Sequence, residues 1–369
     1  MKIACLTFHN SSNYGSVLQA FALQKTIKEL GFDYTIIDYS NKEKYKFDSL
    51  LGRNTEMSRI AYIYKLLSFP YNYFKKRKFI NFSNEYLNIS KKRFKSLEEL
   101  KEINNDYDYF ICGSDQIWNG TMIRFDSAYF LSFVDNTEKK IAYAASFGKV
   151  DISDQEFEFY KRELNNINKI SVRETSASVI VKKCSNKFAE VVLDPTLLLS
   201  GTEWKYISRK EKVPKEPYIL TYCLSNNKEM QDFIKKLRLQ TGYKVIGISR
   251  GLVPMFRECA FAVPSPLEFV QLFSNASYVV TNSFHGTAFS TNLNKNFFTF
   301  IKGERNTATN SRIVDFLENL GLADRIYTKC PKEKINISQP NFEEVNKKLE
   351  ALRKKSINFL TESLDINME

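Results

Sequence analysis

Short apolar runs alternate along this chain with longer segments whose apolar residues recur every three or four positions, the pattern of a β-α-β protein. In the first half, strands are predicted at Ile3 to Phe8, Tyr34 to Tyr39, Tyr107 to Cys112, Ile141 to Ser146, Ile170 to Val172 and Val191 to Leu193. Helices are predicted between them at Ser16 to Leu30, Asp154 to Asn165 and Thr175 to Lys182. After Asp194-Pro195 and a loop containing Pro214 and Pro217 the pattern restarts. Strands then follow at Tyr218 to Cys223, Lys244 to Ile248, Tyr278 to Thr281 and Phe297 to Ile301, separated by helices at Lys228 to Thr241, Pro266 to Ser274 and Thr287 to Asn294. The expected fold class is α/β, with two Rossmann-like, doubly wound domains over residues 1–198 and 199–335. A last helix, Asn341 to Leu360, is apolar at Val345, Leu349, Leu352 and Ile357 and is expected to pack back on the first domain within a segment 336–369.

A length of 369 residues suits two domains. With 43% hydrophobic and 26% charged residues, and only 13 Gly and 9 Pro, collagen-like, low-complexity and disordered chains are excluded. The first apolar run is too short for a signal-peptide core, and no run reaches the 18 or so residues of a membrane span, which places the chain in the cytoplasm. Six scattered cysteines form no C-x-x-C pair and no Cys/His cluster of metal-ligand spacing, so they are expected to be reduced, mostly buried thiols, with no metal site.

The formal charge of +12 is uneven. Residues 42–105 hold 15 Lys/Arg against 7 Asp/Glu, a net +8, and crowd Tyr62, Tyr64, Phe69, Tyr71, Tyr73, Phe74, Phe79 and Phe82 beside Lys75, Lys76, Arg77 and Lys78. Three readings stand: a helical insertion with packed aromatics and solvated lysines, a surface resting on anionic lipid or a lipid-linked diphosphate, and a nucleic-acid surface. No zinc finger, RNP or other reader motif accompanies the charge, so nucleic acid is not an expected partner.

In open α/β sheets ligands gather at the carboxyl ends of strands, where helix N-termini offer free N–H groups. After the first strand stands His9-Asn10-Ser11-Ser12-Asn13-Tyr14-Gly15-Ser16, which is neither a Walker loop nor G-x-G-x-x-G. After the strand ending at Cys112 comes Gly113-Ser114-Asp115-Gln116-Ile117-Trp118-Asn119, an acid, two amides and a tryptophan of the kind that recognise sugars. In the second half, Thr281-Asn282-Ser283-Phe284-His285-Gly286-Thr287 leads into a helix, and His285 is one of only two histidines. A histidine there would donate to an anion or act as general acid; the alternative is a structural ring bonded to backbone. Arg173 and Arg312, at a strand end and a helix start, suit a carboxylate or a phosphate, although exposed surface arginines are the commoner case.

Taken in order, Asn13-Tyr14-Gly15 with Leu18-Gln19-Ala20, Gly113 to Asn119, Ser171-Val172-Arg173-Glu174, Leu193-Asp194-Pro195-Thr196 and Ser283 to Ala288 resemble the polysaccharide pyruvyl transferase family, from about residue 1 to 327. The resemblance implies a glycosyltransferase-B-like pair of domains facing a cleft. It also implies transfer of pyruvate from phosphoenolpyruvate onto two sugar hydroxyls as a cyclic ketal, in bacterial surface polysaccharide biosynthesis. His285 and Asp115 are the implied catalytic acid and base, with Arg173, Ser283, Gly286, Thr287, Arg312 and Lys302 on the donor. Asn13, Tyr14, Gln116, Trp118 and Asn119 are assigned to the acceptor, expected on a polyprenyl diphosphate at the inner membrane face. Many members carry Arg where this chain has Ser283, so Arg312 or Lys302 is expected to replace that cation. No cofactor beyond the co-substrate phosphoenolpyruvate is expected. The alternatives are a nucleotide-sugar glycosyltransferase of the same architecture and a non-catalytic glycan-binding protein.

Overall fold

Strands buried along their whole length, such as Lys140–Ala145 and Tyr218–Cys223, are what an all-parallel sheet needs where helices cover both of its faces. The computed structural model describes residues 1–40, 69–249, 259–303, 307 and 310–365. It divides into two compact units, Met1–Pro195 with Ile357–Glu369, and Thr196–Ser356.

The first unit holds β1 (Lys2–Leu6), β2 (Asp33–Tyr39), β3 (Ile89–Phe94), β4 (Tyr109–Cys112), β5 (Lys140–Ala145), β6 (Lys169–Val172) and β7 (Glu190–Val191). They form one sheet in the order β3-β2-β1-β4-β5-β6-β7, every neighbouring pair parallel. The interior strand β1 places Cys5 opposite Ile36 on one side and Ile111 on the other. Helices α1 (Tyr14–Glu29), α2 (Phe69–Tyr86), α3 (Leu97–Lys101), α4 (Gly120–Ile123), α5 (Asp154–Asn165) and α6 (Thr175–Ser185) belong to this unit.

The second unit repeats the plan with β8 (Tyr218–Cys223), β9 (Lys244–Ser249), β10 (Cys259–Ala262), β11 (Tyr278–Thr281), β12 (Asn296–Phe300) and β13 (Ile326–Tyr327). Their order is β10-β9-β8-β11-β12-β13, again all parallel. Its helices are α7 (Gly201–Ser208), α8 (Lys228–Thr241), α9 (Pro266–Asn275), α10 (Phe284–Asn292) and α11 (Ser311–Asn319). Both α7 and α9 start at a reciprocal Ser-x-x-Glu cap: Glu203 N–H donates to Ser200 Oγ at 3.2 Å and Ser200 N–H to Glu203 Oε2 at 2.7 Å, with Ser265 and Glu268 doing the same. The final helix α12 (Phe342–Ser363) begins in the second unit and ends in the first. There Phe359 meets Tyr143, and Asp365 accepts from the Tyr109 hydroxyl at 2.5 Å.

Three strands escape the sequence pattern, and all lie at sheet edges. Strand β3, Ile-Ser-Lys-Lys-Arg-Phe, exposes Lys91, Lys92 and Arg93, the charged edge that discourages further pairing and hides a strand from a hydrophobicity reading. Strands β10 and β13 span only four and two residues. Within the basic aromatic insertion, α2 buries Tyr71, Phe79 and Phe82, with the Phe79 ring 4.9 Å from Tyr14 and Phe82 5.9 Å from Phe21 of α1. For residues 69–86 the insertion is helical and packs one face on α1; Tyr62, Tyr64 and the rest of 42–68 lie outside the described residues.

None of the six cysteines is in a disulfide; Cys5, Cys112, Cys184, Cys223 and Cys259 are buried, and Cys330 is half-buried. Burial pushes the Cys5 thiol up to about 12 and raises Cys112 as well, so neither presents thiolate near neutrality. Titration of the native protein with a thiol reagent at pH 8 should therefore show one fast equivalent, from Cys330, and five more only on unfolding. Rapid labelling of two or more native thiols would contradict this packing.

Candidate active site

Both strand orders reverse direction once, between β1 and β4 in the first unit and between β8 and β11 in the second, and such switch points open a crevice at the strands' carboxyl ends. At the first of these, Ser16 in the opening turn of α1 donates its hydroxyl to Asp115 Oδ2 at 2.6 Å, joining the loops that follow β1 and β4. Gln19 ties the same loops together: its amide donates to Thr7 Oγ1 at 2.8 Å and accepts from Ser114 N–H at 3.1 Å. Asp115 sits in the left-handed region at φ 70, a placement that costs on the order of 1–3 kcal/mol and persists only where neighbours enforce it. They do so here, since the Asp115 carbonyl accepts from Ser146 N–H at 3.1 Å. Gly113 before it, at φ 126, has no room for a Cβ, which would collide with the Tyr143 carbonyl oxygen.

Arg173 follows β6, and its side chain is only 1% exposed. Its guanidinium donates to Asp194 Oδ2 at 2.7 Å and lies 3.7 Å from both Asp115 Oδ1 and Glu174 Oε2. Burial alone would lower its pKa; the carboxylates of Asp194, Asp115 and Glu174 more than offset this and raise it. Glu174 in turn accepts from the Ser146 hydroxyl at 2.6 Å. One cation thus serves three carboxylates. Among the described residues no group of His, Cys, Asp or Glu side chains is placed to hold a metal ion.

The residues expected on the acceptor divide. Asn13 caps α1, accepting from Gly15 N–H at 3.0 Å, and Asn119 caps α4, accepting from Met122 N–H at 3.2 Å. The amides of Gln116 and Asn119 both stand against Gly148 and are half-buried. Tyr14 is buried, with its ring against Phe79 and Lys75 Nζ 5.4 Å above it. Trp118 departs from expectation: it is fully buried, stacked on Phe130 at 5.3 Å, and its indole N–H donates to the Tyr129 carbonyl at 3.2 Å. A ring with no accessible face covers no sugar, because the β4 loop turns inward after Gln116 and carries Trp118 into the core.

In the second unit the loops after β8 and β11 are joined by Asn282, which accepts from Leu224 N–H at 2.8 Å and donates to the Ser225 carbonyl at 2.9 Å. Helix α10 starts three residues earlier than the predicted Thr287, because Ser283 acts as its cap and accepts from Gly286 N–H. His285 therefore lies in the helix's first turn, 8% exposed, with its ring edge-on to Phe284. A side chain at Gly286 would strike the Thr281 hydroxyl, so glycine here sets the close approach of helix and strand. Thr287 is wholly buried, donating to the Ser283 carbonyl at 3.0 Å and facing Thr299 Oγ1 at 3.0 Å; its hydroxyl serves the helix. Arg312 stands in the first turn of α11, which packs on α10 through Phe316 and Phe284. Lys302 is exposed, and its carbonyl accepts from Asn310 Nδ2 at 2.9 Å at the start of the same helix.

Ser146, Glu174 and Asp194 were not among the expected site residues, although each lies within three residues of a strand end and the strand-end rule would have reached them; Ser16, in the opening turn of α1, stood in the polar loop after β1 without being assigned to the site. The other histidine, His9, is also at a strand end. Its Nε2 lies 3.4 Å from Asp38 Oδ1 and its Nδ1 3.2 Å from the Thr7 carbonyl. Burial alone would raise the Asp38 carboxyl, but His9 and Arg93 hold it below its ordinary value.

A family model described as polysaccharide pyruvyl transferase matches residues 13–301. No curated protein sequence matches the chain. Among solved structures, a UDP-GlcNAc 2-epimerase from Methanocaldococcus jannaschii is similar over 100% of both chains, at 12% identity and TM-score 0.51. A UDP-GlcNAc 2-epimerase from Neisseria meningitidis bound to UDP-GlcNAc is similar over 100% of both, at 9% and 0.52. The S. aureus MnaA-UDP co-structure is similar over 100% of this chain and 98% of that one, at 10% and 0.52. At such identities the likeness shows the fold, a glycosyltransferase-B-like pair of Rossmann-like units.

If Trp118 is core, its loss is a matter of stability. Trp118→Ala should lower unfolding free energy by about 3–5 kcal/mol in a urea titration, and Trp118→Phe by distinctly less. A Trp118→Ala protein as stable as the parent would return the ring to the surface.

Proposed function

The chain belongs to the polysaccharide pyruvyl transferase family, and from that premise we propose that it moves pyruvate from phosphoenolpyruvate onto two hydroxyls of a sugar in a lipid-linked glycan precursor, closing a cyclic ketal. The observation that supports this reading is the opposite chemistry at the two switch points. The first unit offers a carboxylate, Asp115, among the amides of Gln116, Asn119 and Asn13. The second offers His285 with helix N–H groups, Arg312 in the first turn of the helix packed on α10, and Lys302 tied by its carbonyl to the start of that helix.

In the proposed reaction, protonated His285 gives its proton to the methylene carbon of phosphoenolpyruvate, which makes the adjacent carbon electrophilic. The first sugar hydroxyl attacks that carbon while Asp115 takes its proton. The carbon–oxygen bond to phosphate then breaks, with the phosphate held by Arg312, Lys302 and the α10 N-terminus. The second hydroxyl closes the ketal. Two hydroxyl protons are released; one restores the acid and the other leaves with phosphate. The scheme calls for no further cofactor.

The test is incubation with phosphoenolpyruvate and a panel of lipid-linked or free galactosides and hexosamines, following phosphate release. A thermal shift with a nucleotide sugar and none with millimolar phosphoenolpyruvate would favour the glycosyltransferase alternative. Loss of a positioned general acid costs about 10²- to 10⁴-fold in rate. His285→Gln should show that loss while retaining phosphoenolpyruvate binding by calorimetry; turnover within a few fold of the parent would make His285 structural.

The lipid-linked acceptor draws support from α2. While Tyr71, Phe79 and Phe82 face inward, Tyr73, Phe74 and Ile80 are 46%, 61% and 44% exposed, and Arg77 is exposed among Lys75, Lys76 and Lys78. Among the described residues no helix is long and apolar enough to cross a membrane, so the proposed contact is peripheral. Each lysine near an anionic leaflet contributes on the order of 1 kcal/mol, and the attraction fades as the Debye length falls from about 10 Å at 0.1 M salt to about 3 Å at 1 M. The protein should sediment with anionic vesicles at low salt and leave them at high salt, and changing Lys75, Lys76, Arg77 and Lys78 to Gln should abolish the binding. A parent that stays in the supernatant at low salt removes the membrane contact from the proposal.

A further inference from the structure

We propose that Lys75 binds the diphosphate of a diphosphate-linked acceptor, on the part of α2 that overhangs the carboxyl edge of the first sheet. The direction of α2 carries this. Phe79 packs on Tyr14, the first residue of α1, Phe82 and Tyr86 pack on Phe21, and the Tyr86 carbonyl accepts from Gln24 Nε2 at 2.7 Å. Contacts that advance together along both helices mean that α2 runs parallel to α1. Helix α1 starts just beyond the carboxyl end of β1. The residues of α2 that precede Phe79, from Phe69 to Lys78, therefore run on past that edge, by about 15 Å at 1.5 Å per residue. This overhang holds Lys75, Lys76, Arg77 and Lys78 and no acidic residue.

Its two sides differ. Lys75 lies on the side turned to α1, one helical turn before Phe79 and one after the buried Tyr71. It is half-buried, with its ammonium 5.4 Å from the centre of the Tyr14 ring and 5.9 Å from that of Phe79. Tyr73, Arg77 and Ile80 lie on the opposite side and are exposed. A charge held over two rings is kept in one place, so little side-chain freedom is lost when it meets an anion. Tyr14 is also two residues from Ser16, whose hydroxyl is bonded to Asp115. The ammonium thus stands beside the turn of α1 that reaches the proposed base, placed for a phosphate joined to a sugar held there. The outward side of the overhang is left to the anionic leaflet. The inference rests on the reading above, in which the acceptor is lipid-linked and its sugar meets Asp115, and it assigns recognition of the carrier's charge to one side chain.

The experiment takes the sugar that accepts pyruvate in the panel and offers it in solution, without membrane, as its short-chain prenyl diphosphate and as its methyl glycoside, at saturating phosphoenolpyruvate. The quantity read is the ratio of kcat/KM for the diphosphate to that for the glycoside. In the parent this ratio should be about tenfold or more, the scale of one charge-assisted hydrogen bond. Lys75→Gln should bring it close to one, Lys75→Arg should restore most of it, and Arg77→Gln should leave it near the parent's value. Sedimentation with anionic vesicles separates the leaflet from the substrate, and there Arg77→Gln should weaken binding more than Lys75→Gln does.

A parent that turns over both acceptors with a ratio near one overturns the inference and leaves the transferase reading standing. A Lys75→Gln ratio equal to the parent's does the same. A preference seen only when the acceptor is embedded in anionic vesicles assigns the charge to the leaflet and overturns the inference as well. Should Lys75→Gln not fold, Lys75→Met, which keeps an apolar stem over the two rings, carries the same comparison. A parent that turns over neither acceptor with phosphoenolpyruvate sinks the reaction itself and this inference with it.

Discussion

Every strand pair in both sheets is parallel, and this constraint sets where chemistry can occur. Parallel strands are joined by crossovers, so the carboxyl ends of all strands in a sheet, and the N-termini of the helices that follow them, collect along one edge. Helices over both faces require the strand interiors to be apolar, as the buried β5 and β8 are. Polar side chains are admitted mainly where the strands stop. The hydrogen bond from Ser16 to Asp115 in one unit and those of Asn282 in the other are two instances of one rule: each joins the loops on either side of the point where strand order reverses.

Within that frame the Arg173 cluster is not an obvious source of stability. Removing an ion from water costs several kcal/mol even after relaxation, and a buried ion pair often does no better than apolar side chains of equal volume. Here a single guanidinium faces three carboxylates, so repulsion among the acids works against the pairing. What the arrangement does offer is direction. The fork of Arg173 is planar, with donors at fixed angles, and its 2.7 Å bond to Asp194 defines where the remaining edge points, which is toward Asp115.

Much of this was legible in the sequence, for physical reasons that can be named. The apolar runs of β1, β4, β5, β8 and β11 stand out because they are covered on both faces, and the switch-point loops stand out because polar residues break those runs abruptly. Strand β3 was hidden because its lysines and arginine are the edge's protection, which reads as an exposed segment. Trp118 was misread for a different reason: a seven-residue window rich in amides and an acid carries no record of where its backbone turns, and here the loop turns inward after Gln116, burying Ile117 and Trp118. That Asp115 and Asp194 meet at Arg173 was not legible, because they come from the ends of different strands at separations that no local spacing reveals.

Helix caps explain the remaining departure. Where the resemblance leads one to expect Arg, Ser283 takes the Gly286 N–H on its hydroxyl, so this position caps the helix and contributes no positive charge. In the proposed scheme the donor's phosphate then needs a cation from a neighbouring element. Helix α11 is suited to supply it: Phe316 rests against Phe284 at 5.9 Å, bringing the two helices side by side, and Asn310 ties Lys302 to the turn that presents Arg312. A cap on one helix and a cation on the next divide between two elements what a single arginine would combine in one, and that division leaves His285 in the first turn of α10 among the helix's N–H groups.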